Sequence, residues 1–446
     1  MGTIASAGLA DDAGEKVVVK LPSVIDDVVP GGGGRFLFLL LKKLQKIAVF
    51  DVNEAKIVKY LPLPGDNVRY AAGAVRLVVV SPDLGQIQRW SLRSMEKDLA
   101  VLMPAGSQVD DLAMGWASTG PLLVMERAGP KFMDPETLKP ADITLGALGT
   151  NWVPHPQYPL AVRAGGDGSS FAAWQPGISP MGVRMMNLVG KTATGRYKHD
   201  SAGILLPSFD GSLLFTASGV LDGDLKSVSE DSARNSICLP SYHPAYFISI
   251  PRSDNYSPRN QRPKPSLISV YTTADYKLLF NIQTDDSFGV TPWSANGRND
   301  GALSYEKRLH FFPAANLLVT VAQSRDALQL RRLRIADELN KSGIDYLFVD
   351  SLPPPVANPG AEYNYSIQVK SKQGGVKFHL DSGPAGMTIT DGGRIAWSVP
   401  AHFDERQASV IVSIKDASGQ EIFHSFGVRN LAMNAVGRPA EIKTGK

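Results

Sequence analysis

Hydrophobic positions along the chain come in short runs that polar turns interrupt. Residues 36–63 set the pattern: the apolar run FLFLLL precedes a polar KKLQK corner, the alternating run IAVFDV, an Asn-Glu turn and a further run at 56–63. Short apolar or alternating runs between turn residues are typical of β-strands. We therefore predict three strands of a small antiparallel sheet here, with residues 26–29 as a fourth. A sheet this small cannot stand alone and needs neighbours of the same kind.

The same unit recurs along the chain. Asp26, Asp66 and Asp110 begin three successive units, 40 and 44 residues apart, a spacing in the range of a four-stranded propeller blade. Less regular units are predicted to follow at residues 160–199, 204–239, 246–282 and 309–334. This rhythm predicts an all-β fold built from about seven sheets, interrupted by one short helical candidate at 335–341.

The isolated run KVVVKL at residues 16–21 precedes the first unit. In a ring of sheets, a lone N-terminal strand can complete the last sheet, because closing the ring removes two exposed edges. We expect this strand to pair with residues 346–349.

The composition changes near residue 351. At 446 residues the chain is long enough for two domains. The proline-rich run LPPPV at 352–356 predicts a stiff, extended linker, and short alternating runs continue to residue 428. We predict a β-propeller over residues 16–352 and a small β-sandwich over 353–430, a length that suits one Ig-like domain.

Two sets of phrases carry a resemblance to known families. The segment PAGMTITDGGRIAWSVP at 384–400 resembles the Ig and cadherin-like domains of bacterial multidomain surface proteins. The phrases IAVFDV at 47–52 and SFDGSLLF at 208–215 are similar to blades of seven-bladed β-propellers of the WD40-like or YVTN-like kind. These resemblances imply a non-catalytic binding or scaffold protein that uses a propeller face to bind a protein or glycan partner. They also imply a place in a larger surface assembly.

Composition and charge exclude several classes. The formal net charge of +3 and the absence of a long basic run make nucleic acid a poor partner. The single Cys238 forbids an intramolecular disulfide and any cysteine-based zinc site, and its strand-like context predicts a buried thiol. Residues 1–15 do not have the pattern of a signal peptide, and no apolar run is long enough to predict a membrane span. Modules of the resembled kind imply an exported protein, so the sequence leaves the compartment open.

No catalytic or cofactor motif is evident in the sequence. It lacks a G-x-S-x-G elbow, an H-E-x-x-H pair, a P-loop and a dinucleotide fingerprint, and we predict no catalytic residue, metal site or cofactor. The glycine run at 31–34 precedes no helix, so we interpret it as a tight turn. A basic insert at 252–264 is expected to be a solvated loop, and contact with an acidic partner is the alternative interpretation.

The candidate site follows from the predicted geometry. The innermost strand of each blade begins at one end of the central channel, so residues at the starts of successive units converge there. Carboxylates brought together repel one another unless a cation, an arginine or hydrogen-bond donors compensate. A ligand site at this mouth, or a hydrolase or lyase site, is one interpretation; caps on strand-entry turns are the other. The candidate residues are Asp27, Asp66, Asp111, His155, His243, Trp293 and Arg308.

Overall fold

The computed structural model describes residues 16–146, 148, 150–155, 157–228, 236–251, 267–284, 303–403, 405 and 407–430. The chain divides into two compact units, Met1–Ser342 and Gly343–Lys446. Almost all regular structure in both units is β-strand, as the hydrophobic pattern predicts. Among the described residues, no helix is long and apolar enough to cross a membrane.

The described part of the first unit begins with the strand Lys16–Lys20 (β1), followed by three four-stranded antiparallel sheets in which consecutive strands are neighbours. Sheet 1 contains Asp27–Gly31 (β2), Phe36–Leu41 (β3), Lys46–Asp51 (β4) and Lys56–Pro62 (β5). Sheet 2 contains Arg69–Ala72 (β6), Arg76–Ser81 (β7), Gln86–Ser91 (β8) and Glu96–Leu102 (β9). Sheet 3 contains Val109–Ala113 (β10), Leu122–Glu126 (β11), Gly129–Asp134 (β12) and Lys139–Pro140 (β13).

Four further sheets follow in the described part of this unit. Sheet 4 contains Thr144–Leu145 (β14), Ala161–Ala164 (β15), Ser170–Trp174 (β16), Val183–Val189 (β17) and Thr192–Lys198 (β18), with β14 parallel to β18. Sheet 5 contains Leu206–Pro207 (β19), Leu213–Thr216 (β20) and Gly219–Asp222 (β21). Sheet 6 contains Ser236–Pro240 (β22), Tyr246–Pro251 (β23), Leu267–Thr272 (β24) and Leu278–Gln283 (β25). Sheet 7 contains Leu309–Phe312 (β26), Leu317–Val321 (β27) and Ala327–Arg332 (β28), and two short helices, Tyr305–Arg308 (α1) and Ile335–Lys341 (α2), flank it in sequence.

Two strand assignments differ from the sequence prediction. Residues 236–239, predicted to end the fifth unit, lie in β22, the first strand of sheet 6, because they pair with β23. β1 pairs antiparallel with β28, with Val18 opposite Gln329, and not with residues 346–349. The N-terminal strand does complete the last sheet, as expected, but its partner is β28, whose outer edge is otherwise unpaired.

The sheets follow one another around a closed ring. The first strands of sheets 1 to 6 contact each other in sequence order, and α1 contacts β2. One apolar core lies between sheets 1 and 2 and includes Phe38 and Val79. Another lies between sheets 7 and 1 and includes Phe50 and Val319. Because the last sheet packs on the first, the first unit is a β-propeller.

The second unit has its own core and three small sheets. Its strands are Leu347–Val349 (β29), Val356–Ala357 (β30), Glu362–Ser366 (β31), Val369–Ser371 (β32), Lys377–Ser382 (β33), Thr388–Ile389 (β34), Arg394–Ser398 (β35), Gln407–Lys415 (β36) and Glu421–Asn430 (β37). Trp397 is buried in this core, and its indole N–H donates to the Ala385 carbonyl at 3.2 Å. Because β29 pairs with β32, the unit begins before the boundary predicted at residue 353.

Candidate functional site

Aromatic side chains fill one end of the ring, where the turns after the innermost strands meet. Trp116, which follows β10, lies edge-on to Phe209 at 5.5 Å and to Tyr242 at 5.6 Å between ring centroids. Only 8% of Trp116 is exposed. Backbone N–H groups of these turns donate to carbonyls of the neighbouring sheet's turn or strand at 2.9–3.0 Å: Gly33 to Trp116, Ala117 to Gly166, Asp167 to Phe209 and Tyr242 to Phe311. Aromatic rings and backbone hydrogen bonds between the described turns therefore pack this end of the ring, which we call the plug.

Gly115 shows how closely these turns approach. A Cβ atom built at this position would lie 2.4 Å from the Gly168 nitrogen and 2.5 Å from the Gly165 carbonyl oxygen. Since backbone atoms cannot move aside as a flexible side chain can, only glycine fits here.

At the starts of the innermost strands, α1 contributes a cation to the candidate site. Lys307 Nζ lies 3.1 Å from Asp27 Oδ1 and donates to the Val28 carbonyl at 2.8 Å. The Lys307 side chain is 14% exposed and that of Asp27 32% exposed. This pair ties α1 to β2, and it neutralises one of the predicted carboxylates.

Arg163 on β15 neutralises a second carboxylate. Its Nη2 lies 2.9 Å from Glu306 Oε1, and its Nη1 lies 3.4 Å from Asp111 Oδ2. Burial opposes the charge on Arg163, but the carboxylates of Glu306 and Asp111 outweigh it and raise the arginine pKa. Asp111 also accepts the backbone N–H of Val162 at 3.0 Å. Protein atoms surround Arg163, and its side chain stays 24% exposed.

Asp27 and Asp111 are thus predicted site residues that the structure brings together around Arg163. Both act electrostatically on Arg163, and each lies on the first strand of its sheet. Arg163 and the backbone N–H of Val162 compensate the charge of Asp111 from within the protein. The described residues contain no group of three or more histidine, cysteine, aspartate or glutamate side chains able to hold a metal ion.

Asp66 and His155 lie outside this network. Asp66 is exposed in the turn before β6. His155 is exposed, and its described contacts are local: its Nδ1 accepts the N–H of Gln157 at 3.2 Å and its ring faces Tyr158. Trp293 and the basic insert at 252–264 lie outside the described residues. Arg308, half-buried, is the last residue of α1 and directly follows Lys307.

His243 is at the wrong end of its strand for the predicted mouth. It is 3% exposed in the turn after β22, where its Nδ1 accepts the N–H of Ala245 at 3.2 Å. The error follows from the misassigned strand: residues 236–240 form the innermost strand, so His243 comes after it and lies at the plugged end. The prediction that His155 and His243 belong to one site is therefore wrong.

Sequence reasoning missed Arg163, Glu306 and Lys307. The last two lie in a one-turn helix that has no amphipathic period, and Arg163 lies inside a short strand with no motif around it. The sequence offered one signal for this site: an arginine inside a predicted inner strand. An arginine placed there requires carboxylate partners nearby.

Two polar side chains, Tyr242 and His310, connect Lys307 to the aromatic plug. The hydroxyl of Tyr242 lies 2.9 Å from His310 Nδ1, and His310 Nε2 lies 3.1 Å from the Lys307 carbonyl oxygen. Burial lowers the pKa of His310 to about 4, so this histidine is neutral at pH 7.

A recess lies between sheets 1 and 2, away from the ring's centre, and its volume is about 660 Å³. Side chains of β5, β8 and β9 line it together with the turns beside them. The described polar residues at this site are Lys59, Gln86, Gln88, Glu96 and Lys97, and the apolar ones are Leu61, Pro62, Leu63, Pro64, Trp90 and Met95.

Comparison with known proteins finds structural similarity only. No protein-family model matches the sequence, and no curated protein matches it. One similar structure is a chain of the mitotic checkpoint complex, with 14% identity and a TM-score of 0.45 over 75% of this chain and 98% of that one. Another is the Cps50 (Swd1) β-propeller domain of Myceliophteria thermophila, with 10% identity and a TM-score of 0.42 over 72% of this chain and all of that one. At these scores, the fold assignment rests on the sheet topology.

Proposed function

We propose that this chain is a non-catalytic scaffold that binds a partner protein, with seven sheets acting as the blades of a β-propeller and an Ig-like, cadherin-like second domain. The recess between sheets 1 and 2 carries the proposal. It is a shaped cavity of about 660 Å³ that combines apolar walls with charged side chains at its rim, a composition that suits a protein ligand.

The charged network in the ring supports binding at the periphery. Asp27 is paired with Lys307, and Asp111 and Glu306 are paired with Arg163. These pairs connect α1 to strands β2, β10 and β15, so they have a structural role in holding the ring. The carboxylates of Asp27 and Asp111 are consequently occupied within the protein.

The second unit supports the Ig-like assignment through its two larger sheets, which share one core. The sheet β30-β37-β36-β33 and the sheet β31-β35-β34 both contribute to it, with Trp397 and Val412 buried. Alternating inward and outward residues on paired sheets are typical of a sandwich. We propose that this domain serves as a spacer or a second contact in a larger assembly.

The test is reconstitution with purified components. Partners are identified by cross-linking in the source cells, and each candidate is then purified and titrated against the full chain by isothermal calorimetry. We expect a saturable one-to-one complex with at least one protein. The scaffold proposal is overturned if none of the cross-linked proteins binds the purified chain.

A hydrolase or lyase at the channel mouth is the second proposal, and one observation favours it. Arg163 Nε, Glu306 Oε2 and the Tyr305 hydroxyl are buried without a hydrogen-bond partner among the described residues. Buried polar atoms of this kind are satisfied by water or by a small polar ligand.

A further inference from the structure

We propose that the recess between sheets 1 and 2 binds an extended, acidic peptide segment of the partner protein. In this assignment Gln88 and Trp90 hydrogen-bond to the peptide backbone, and Lys97 pairs with a carboxylate of the peptide. The proposal rests on the scaffold function and names the class of ligand that the scaffold recognises.

The alternation of β8 places its polar residues on the side of the recess. Trp90 packs in the core between sheets 1 and 2 together with Leu61, whereas Ile87 packs in the core toward sheet 3. Because successive side chains of a strand point to opposite faces, Gln86 and Gln88 share the face of Trp90. A face that would ordinarily be apolar between two packed sheets therefore carries two glutamines.

Gln88 and Trp90 leave one acceptor and one donor unused. Gln88 is 4% exposed, and its Nε2 donates to Gln86 Oε1 at 2.7 Å. Gln88 Oε1 has no hydrogen-bond partner among the described residues, and the same holds for the indole N–H of Trp90, which is also 4% exposed. Burial of unpaired polar atoms is unfavourable. Both residues line the recess. Their unused acceptor and donor complement the N–H and C=O groups of an extended peptide, which reaches these covered atoms only when the neighbouring side chains shift on binding.

The charges at the rim favour an acidic occupant. Lys59 Nζ lies 3.0 Å from Glu96 Oε1, so these two charges cancel. Lys97 forms no ion pair with any described residue, which leaves one net positive charge at the recess. An acidic side chain of the ligand would pair with it, while apolar ligand side chains would pack on Leu61 and Met95.

The edge of sheet 1 disfavours binding by strand addition, whether the added strand comes from a partner or from a second copy of this chain. β5 ends at Pro62, and Pro64 follows two residues later. Proline has no backbone N–H, so this end of the edge strand cannot continue a hydrogen-bonded ladder with another strand. Side-chain recognition within the recess is the mode that remains.

The test begins with a random dodecapeptide phage library selected on the full chain. We expect enriched peptides that contain aspartate or glutamate beside apolar residues. A synthetic consensus peptide is then titrated by fluorescence anisotropy, next to its version with asparagine and glutamine in place of the acids. Lys97→Glu is expected to weaken binding of the acidic peptide about tenfold or more. Lys43→Glu changes the net charge equally but lies on an exposed turn outside the recess, so it should bind as the wild type does.

Gln88→Leu separates folding from binding. It removes the unpaired polar atom without changing the side-chain size greatly, so we expect an unchanged or higher melting temperature together with loss of peptide binding. Selection of no peptide, selection of basic peptides, or wild-type affinity in both Gln88→Leu and Lys97→Glu overturns the recess assignment. A partner complex that forms equally well with these variants would leave the scaffold function standing and place its contact elsewhere.

Discussion

At the residue scale, the best-defined groups are buried ionisable side chains that the fold holds in one state. His310 is neutral because burial removes it from water, and its two ring nitrogens lie within hydrogen-bond distance of the Tyr242 hydroxyl and the Lys307 carbonyl. Arg163 is charged because two carboxylates outweigh its burial. His310 therefore stays neutral, and Arg163 stays protonated.

The lowered pKa of His310 predicts that the free energy of unfolding decreases as the pH falls. Its folded pKa is about 4 and its unfolded pKa about 6.5, so only the unfolded chain takes up this proton between those values. Stability is complete above pH 6.5 and decreases as the pH falls to 4, by about 3 kcal/mol in total at ~1.4 kcal/mol per pKa unit. Urea unfolding followed by tryptophan fluorescence measures this, since five of the six tryptophans lie in the first unit.

The variant His310→Gln keeps a hydrogen-bonding side chain without a titration in this range. We expect it to lose most of the pH dependence, while His199→Gln, at an exposed position, should behave as the wild type. Equal pH dependence in the wild type and in His310→Gln would contradict the neutral, buried state.

Loss of Arg163 is expected to destabilise the fold through its ion-pair partner, Glu306. Arg163→Met leaves Glu306, whose side chain is 7% exposed, as a buried carboxylate without its cation, and we expect a loss of roughly 2–4 kcal/mol in the free energy of unfolding. The added change Glu306→Gln should recover part of that loss. If the double variant is as unstable as the sum of two single variants, the pair is not coupled and the structural role of the network is wrong.

At the element scale, short strands decide how the units begin and end. β1 closes sheet 7 by pairing with β28, and β29 belongs to the second unit because it pairs with β32. Leu347 in β29 is 4% exposed and part of that unit's core. The proline-rich run at 352–356 is therefore inside the second unit and is not a linker between domains.

This placement predicts different stabilities for two fragments. A fragment of residues 343–430 retains β29, whereas a fragment of residues 353–430 lacks it and exposes the core beside Leu347. We expect the longer fragment to melt several degrees higher, because burial of one large aliphatic side chain stabilises by about 1.5–3 kcal/mol. Circular dichroism melts of both fragments provide the comparison, and equal melting temperatures would support the boundary at residue 353 instead.

At the scale of the first unit, ring closure creates contacts that no local pattern contains. Lys307 contacts Val28 across 279 positions of sequence, and Arg163 contacts Glu306 across 143. The innermost strands bring these residues together only because each sheet packs on the next and the last packs on the first. The recess between sheets 1 and 2 likewise exists because two faces, one on β5 and one on β8, lie opposite each other.

The sequence by itself determined the strands. Short alternating runs and turn residues predict most of their bounds, the glycine turn at 31–34, the short helix at 335–341 and the all-β class, because these features depend on local propensity and side-chain alternation. The sequence also placed Asp27 and Asp111 at the starts of innermost strands, an argument from position within a repeat. Only the tertiary structure decided which strand closes the ring, which end of its strand His243 occupies, and which cations pair with the carboxylates. Those outcomes depend on packing between residues far apart in the chain, where one misassigned strand reverses the end at which a side chain lies.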